Sequence, residues 1–293
     1  MKVRVPGTSA NLGPGFDSLG LALTIYNEVE FTRSSEGSSI IDPNYSGSVE
    51  DHLIYKSYTQ VFDSLKADLI PVQIKVMADI PQARGLGSSS ACIVAGVVGA
   101  FHILGKELDQ DEILYHANKI EGHPDNVAPC IKGGLVVSTL AGDEICSIKL
   151  PIKKDYKFLA LIPAFKLSTQ KARSVLPEKI SLKDGIFNSS RVALLLAALA
   201  TGNDAALRLG FEDRFHQPYR GPLIADFDEI MAFLKSKDIL GAYLSGAGPT
   251  IMALTKKDPG NVVKEIQTFL KTLDYSWDLV ELDLDDQGFV VSE

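Results

Sequence analysis

The chain has 293 residues, 45% of them hydrophobic and 23% charged, the profile of a globular protein with room for one large domain or two ordinary ones. Its 37 Asp and Glu outweigh 29 Lys and Arg for a net charge of −8, which argues against a dedicated nucleic-acid binder and against a basic membrane-surface patch. Three scattered cysteines, Cys92, Cys130 and Cys146, make neither a disulfide framework nor a zinc site and fit a reducing compartment.

In chain order, hydrophobic patterning predicts strands at residues 2–5 and 19–33, with segment 6–17 between them too rich in turn residues to be a strand. Residues 34–51 are polar, with Gly37, Pro43 and Gly47, and read as a loop or ragged hairpin. A helical period covers 53–66 and strand alternation covers 72–78. A glycine-bearing turn then opens a helix ending near 104, followed by a second helix at 109–120, a turn at 122–125 and an apolar strand at 134–139. Residues 151–155 form a boundary, which divides the chain into 1–153 and 154–293. The second part opens with a strand at 157–162 and helices near 169–175, 186–201 and 205–209. It closes with helix 221–235, strand 241–244, a tight loop at 245–249, strand 250–254, helix 259–273 and strand 276–284, an order consistent with β-α-β-β-α-β. The fold class is α+β. The first residues lack the apolar core of a signal peptide, and the longest apolar runs, 91–104 and 192–200, fall short of a membrane span, so a cytoplasmic location is expected.

Chemistry concentrates in Pro81-Gln82-Ala83-Arg84-Gly85-Leu86-Gly87-Ser88-Ser89-Ser90, which runs straight into an apolar helix. The first turn of a helix has amides without partners and carries partial positive charge. Glycines let a polyanion approach the backbone, and serine hydroxyls add donors and a metal ligand, so a polyphosphate is the expected guest. The competing view is that the serines only cap the helix. No lysine follows the glycines as a P-loop requires, and Ser90 stands where a dinucleotide fingerprint needs its third glycine. Three further segments are dense in functional side chains or glycines: Pro6 to Asp17, which supplies Asn11 and Asp17; Glu121-Gly122-His123-Pro124-Asp125-Asn126; and Ser245-Gly246-Ala247-Gly248-Pro249.

Together these segments resemble the GHMP small-molecule kinases, whose signature is Pro-x-x-x-Gly-Leu-Gly-Ser-Ser, and among them the homoserine kinase branch. Residues 5–17, His123-Pro124-Asp125-Asn126-Val127-Ala128-Pro129, Ser168-Thr169-Gln170-Lys171-Ala172-Arg173, Gln217-Pro218-Tyr219-Arg220 and the 245–249 loop match that branch in order along nearly the whole chain. The resemblance implies a two-lobed fold: an N-terminal ATP-binding lobe of the ribosomal-protein-S5 type (1–153), and a ferredoxin-like C-terminal lobe (154–293) that completes the substrate site. It implies ATP and Mg²⁺ as cofactors, L-homoserine as the small-molecule substrate, no nucleic-acid or membrane partner, and a homodimer. It also implies that Pro81 and Arg84 to Ser90 (Gly85, Leu86, Gly87, Ser88 and Ser89 between them) wrap the nucleotide phosphates, with Arg84 as their charge partner. Ser89 and Glu121 would hold the metal.

The acceptor follows the same logic. Asp17 and Asn11 suit an ammonium, whereas Arg173 and Arg220 suit a carboxylate. Mevalonate has no ammonium for Asp17 to meet, although mevalonate or sugar phosphorylation, and an inactive nucleotide-binding module, stand as alternatives. Asn126, Arg173 and Glu121 form the expected catalytic set. Asn126 occupies the position where related kinases carry an aspartate base and is expected to bind substrate by orienting the γ-hydroxyl of homoserine. An amide cannot accept a proton, which leaves transfer to phosphate or water, His123, His216 or Asp125 as routes. His52-Leu53-Ile54-Tyr55 lies where the branch carries Asn-Leu-Ile/Val-Tyr near the adenine.

Overall fold

The computed structural model describes residues 1–142 and 144–293. The first sheet is built on a long antiparallel pair, β1 (Lys2–Ala10) and β2 (Leu19–Arg33). β1 runs five residues beyond the predicted strand, through Pro6 to Ala10. The pairing shifts register between Pro6 and Gly7, a bulge that accommodates a proline unable to donate to the ladder. β3 (Ser39–Ile41) is a short strand inside the segment read as a loop, and it pairs in parallel with β4 (Val72–Ala78). β5 (Leu135–Ala141) pairs with the start of β2 and with β6 (Glu144–Leu150). β6 escapes the patterning because it is an outer strand, its side chains exposed or half-buried with no apolar face to read.

Four helices pack on this sheet: α1 (Leu53–Leu65), α2 (Ser88–Ile103), α3 (Gln110–Glu121) and α4 (Pro124–Lys132). α2 lies at the centre, with twelve of its sixteen residues buried, which is why its sequence is apolar all round. α1 crosses it so closely that a Cβ at Gly96 would overlap the Ile54 carbonyl oxygen and stand 2.8 Å from Ser57 Cβ. α4 replaces the predicted turn at 122–125. Pro124 sits in its first turn, where the missing amide costs nothing, but the interior Pro129 makes the segment look non-helical in sequence.

The second sheet contains β7 (Tyr156–Pro163), β8 (Gly241–Leu244), β9 (Ile251–Lys256) and β10 (Trp277–Leu282), all antiparallel, in the order β10-β7-β9-β8. That is the strand order of a ferredoxin-like β-α-β-β-α-β unit, as expected from the sequence. Between β7 and β8 run α5 (Thr169–Ser174), α6 (Leu182–Thr201), α7 (Asp204–Gly210), α8 (Gln217–Arg220) and α9 (Phe227–Lys235), and α10 (Val262–Leu270) joins β9 to β10. The predicted helix at 221–235 starts only at Phe227. Pro218 and Pro222 each remove an amide, so α8 and a 3-10 turn at Gly221–Leu223 precede it.

Alternation along β7 sends Phe158, Ala160 and Ile162 into a core continuous with that of the first sheet. Leu159 and Leu161 enter a separate cluster with Ile230, Leu234 and Ile266. After β10 the chain returns to the first sheet, where β11 (Val290–Ser292) pairs with β1.

Gly96→Ala tests the α1–α2 approach. Alanine gains about 1 kcal/mol of helix propensity over glycine, but overpacking against a fixed backbone costs about 1–3 kcal/mol. The variant should lower the urea midpoint with an unchanged m-value, and a raised midpoint would show that the helices separate freely.

Candidate active site

A cleft of about 280 Å³ opens between the two sheets, floored by the 83–87 turn and the first turn of α2. Gly87 is the residue before the helix, in a left-handed conformation (φ +70°), with no side chain capping the helix among the described residues. The first helical bond runs from the Ala91 amide to the Gly87 carbonyl, so the amides of Ser88, Ser89 and Ser90 stand open. α1, α3, α5 and α6 are instead capped by His52, Asp109, Ser168 and Ser181. The three serines are therefore not caps. They lie inside the first turn, and their open amides are what an anion could meet. Gly85 and Gly87 have a second reason to lack side chains. A Cβ at Gly85 would overlap the Ser245 carbonyl oxygen, and one at Gly87 would overlap Thr8 Oγ1.

Glu121, the last residue of α3, faces these serines. Ser90 Oγ donates to Glu121 Oε1 at 2.7 Å, and Ser89 Oγ lies 3.4 Å from Oε2. The shorter contact belongs to the buried Ser90, which leaves the exposed Ser89 hydroxyl and a Glu121 oxygen close together at the mouth of the helix. One turn later the first residues of α4 form a linked set. His123 Nδ1 donates to Asp125 Oδ1 at 2.9 Å, and Asn126 Nδ2 donates to the same oxygen at 3.2 Å. The hydrogen bond donated to Asp125, which is itself buried, raises the His123 pKa above its ordinary value and outweighs the opposing effect of burial.

At the other end of the cleft the 11–17 turn carries Asn11 and Asp17 in left-handed conformations. Asn11 holds the turn together: its side-chain oxygen accepts from the Asp17 amide at 3.0 Å, and its nitrogen donates to the Gly246 carbonyl at 2.9 Å. Asp17 and Arg173 face each other in a bidentate pair at 2.9 and 3.1 Å. Arg220 differs from Arg173. It is 2% exposed, donates to the carbonyls of Ala172 and Gly246, and has no carboxylate partner among the described residues. Burial pulls its pKa down to about 10, and the nearby Arg173 charge adds to the effect. His216 is fully buried. Its Nε2 donates to the Gly13 carbonyl at 2.8 Å, and Nδ1 lies 3.3 Å from Arg220 Nη1. Burial lowers its pKa, so the neutral ring serves as an acceptor for Arg220. Phe16 lies beneath both arginines, at 5.1 Å from Arg220 and 5.8 Å from Arg173, and stacks on His216.

The structure thus gathers Asn11, Asp17, Arg84, Gly85, Gly87, Ser88, Ser89, Ser90, Glu121, Asn126, Arg173 and Arg220 around one cleft. Pro81 and Leu86 do not line it. Leu86 is a core residue whose carbonyl accepts from the Thr8 amide. Arg84, the expected charge partner of phosphate, lines the cleft and also anchors the turn. Its guanidinium donates to the carbonyls of Pro163 at 2.8 Å and Ala164 at 2.6 Å, tying the turn to the end of β7. His216, a proton-acceptor candidate in the sequence, does not reach the cleft. His52 caps α1 through Nδ1 and binds Asp42 through Nε2, also outside the cleft. Patterning overlooks Thr8, because it hides in a segment read as a turn, and Phe16, whose role depends on arginines more than 150 residues away.

An N-terminal glycine-serine turn opening a buried helix, beside a ferredoxin-like second sheet, defines a class of small-molecule phosphotransferase. Family models describe it: the GHMP kinase N-terminal domain matches residues 52–134 and the GHMP kinase C-terminal domain matches 193–272. The homoserine kinase of Clostridium botulinum (strain Eklund 17B / Type B) is 44% identical over 99% of this chain and 98% of its own. The crystal structure of homoserine kinase from Cytophaga hutchinsonii superposes with a TM-score of 0.90 at 28% identity, covering 100% of this chain and 97% of that one. A putative homoserine kinase from Listeria monocytogenes superposes with a TM-score of 0.84 at 32% identity, covering 100% and 99%. The chain belongs to the GHMP kinases, in the homoserine kinase branch. Among the described residues no helix is long and apolar enough to cross a membrane.

The His123–Asp125 contact makes a prediction with a definite sign. A raised folded pKa means that the pair stabilises the fold below the unfolded value near 6.5 and loses that contribution as pH rises through the folded pKa. In a ¹⁵N NMR titration the His123 midpoint should lie above 6.5 and fall in Asp125→Asn; a midpoint that does not move would assign the shift to another cause.

Proposed function

We propose that the protein transfers the γ-phosphoryl group of ATP to the hydroxyl of L-homoserine, giving O-phospho-L-homoserine on the route to threonine. One observation carries the reading. An open helix N-terminus and a set of charges suited to an amino-acid zwitterion, Asp17 with Arg173 and an Arg220 that has no carboxylate partner among the described residues, share a single cleft.

The amides of Ser88 to Ser90 and the glycines before them receive the phosphates. Ser89 and Glu121 supply hard oxygens for Mg²⁺. Among the described residues no cluster of three or more His, Cys, Asp or Glu could hold a metal alone. That fits an ion that keeps one or two protein ligands and takes the rest from phosphate and water. When bound, Mg²⁺ supplies neutralisation of charge on the phosphates.

At the acceptor end Asp17 meets the ammonium, and Arg220 and Arg173 meet the carboxylate. A buried arginine is costly until an anion pairs with it, so a carboxylate on Arg220 offsets a desolvation penalty already present in the fold. Mevalonate would supply the carboxylate but no ammonium to replace Arg173 beside Asp17. The hydroxyl oxygen then forms a bond to the γ-phosphorus as the bond to the ADP oxygen breaks. The transition state is loose, so the hydroxyl proton leaves late, to a phosphate oxygen or water. A cytoplasmic location and a homodimer belong to the same reading. The dimer is supported by Leu182 and Ile186 of α6, exposed at 81% and 62%.

ADP release should follow addition of L-homoserine but not of mevalonate, galactose or L-serine; release with mevalonate alone would reject the assignment. Arg220→Lys should raise KM for homoserine about 10–100-fold, the worth of a charge-assisted contact of about 1.5–3 kcal/mol, and leave KM for ATP unchanged. An effect on ATP alone would move Arg220 to the nucleotide.

A further inference from the structure

The carboxamide of Asn126 is held from two sides. Thr8 Oγ1 lies 2.8 Å from Asn126 Oδ1, and Asn126 Nδ2 lies 3.2 Å from Asp125 Oδ1. A hydroxyl can donate or accept, so Thr8 on its own would tolerate either orientation of the amide. The Asp125 carboxylate only accepts, and it already receives a bond from His123. Reversing the amide would bring a carbonyl oxygen against that carboxylate. The nitrogen therefore faces Asp125, and Thr8 must be the donor to the amide oxygen. Thr8 itself cannot turn away. It is fully buried on β1, its amide donates to the Leu86 carbonyl at 3.0 Å, and Gly87 packs against its hydroxyl. Asn126 is left with one N–H that has no protein partner among the described residues, on a side chain that lines the cleft.

We infer that Thr8 is a positioning residue for phosphoryl transfer: its hydroxyl holds the Asn126 carboxamide in the orientation that Asp125 dictates, so that a donor N–H, not the carbonyl, meets the acceptor hydroxyl oxygen. This rests on the proposed acceptor and adds the polarity of the contact. A donor at that oxygen holds one lone pair and aims the other at phosphorus. It takes no part in removing the proton.

Thr8→Val keeps the shape and removes the donor. It should lower kcat about tenfold, the worth of one hydrogen bond, with KM for ATP unchanged, while Thr8→Ser stays within about twofold of wild type. In an Asn126→Ala background Thr8→Val should change kcat less than about twofold, because no amide is left to orient. Asn126→Asp gives a reading independent of Thr8. It removes the donor and sets a carboxylate against Asp125, so kcat should fall at least about tenfold at neutral pH. A retained or raised kcat in Asn126→Asp, equal losses in Thr8→Val and Thr8→Ser, or an undiminished Thr8→Val loss in the Asn126→Ala background would each overturn the inference. All rates are relative to wild type on the same alcohol, so an incorrect substrate assignment would fail the ADP-release panel and leave this comparison intact.

Discussion

A helix buried along almost its whole length begins at an uncapped end, and the rest of the molecule is arranged around that end. α2 cannot lie on the surface, since twelve of its sixteen residues are buried, yet its first-turn amides have to remain accessible. The fold reconciles the two by letting the helix start at the seam between the sheets. The turn before it is pinned by contacts that leave the amides alone: Thr8 beneath Gly87, Ser245 against Gly85, and Arg84 tied to the end of β7. Each contact reaches a different element, so the turn is held in place only when both sheets have packed.

Charge in the cleft is managed locally, within a chain whose net charge would repel a nucleotide. The helix terminus, Arg173 and Arg220 supply positive potential, while Asp17, Glu121 and Asp125 lie between them. Arg220 is the most consequential of these groups. Its bonds to two carbonyls and a neutral histidine fix its position without neutralising it, which keeps a desolvated cation ready for an anion. Asp17 and Arg173, by contrast, satisfy each other in a pair about one-third exposed, and such a pair is weak enough for a zwitterion to open.

Much of this was legible in the chain. The long β2, the helices at α1 and α3, and the alternation that ends in β10 carry strong periodicity, α2 is marked by an unbroken apolar run, and the order of motifs pointed to one family. The misreadings share a cause. Pro6 to Ala10 looked like a turn because a bulge is invisible without its partner strand. α4 looked like a turn because Pro129 breaks the helical pattern. β6 and β11 were unseen because outer strands need no apolar face. Among site residues, Leu86 packs in the core and Arg84 also anchors the turn to β7, contacts that a motif cannot express.

The sequence by itself determined the helix that must be buried, the turn that must precede it and the residue types able to bind phosphate, because those follow from local periodicity and backbone chemistry. Only the tertiary structure decided which side chains are already engaged. Asn11 is tied to Gly246, His216 to Gly13, and Asn126 to Thr8, across separations of 118 to 235 residues. A hydrogen bond depends on angles and distances between elements far apart in the chain, and those exist only after both sheets have packed.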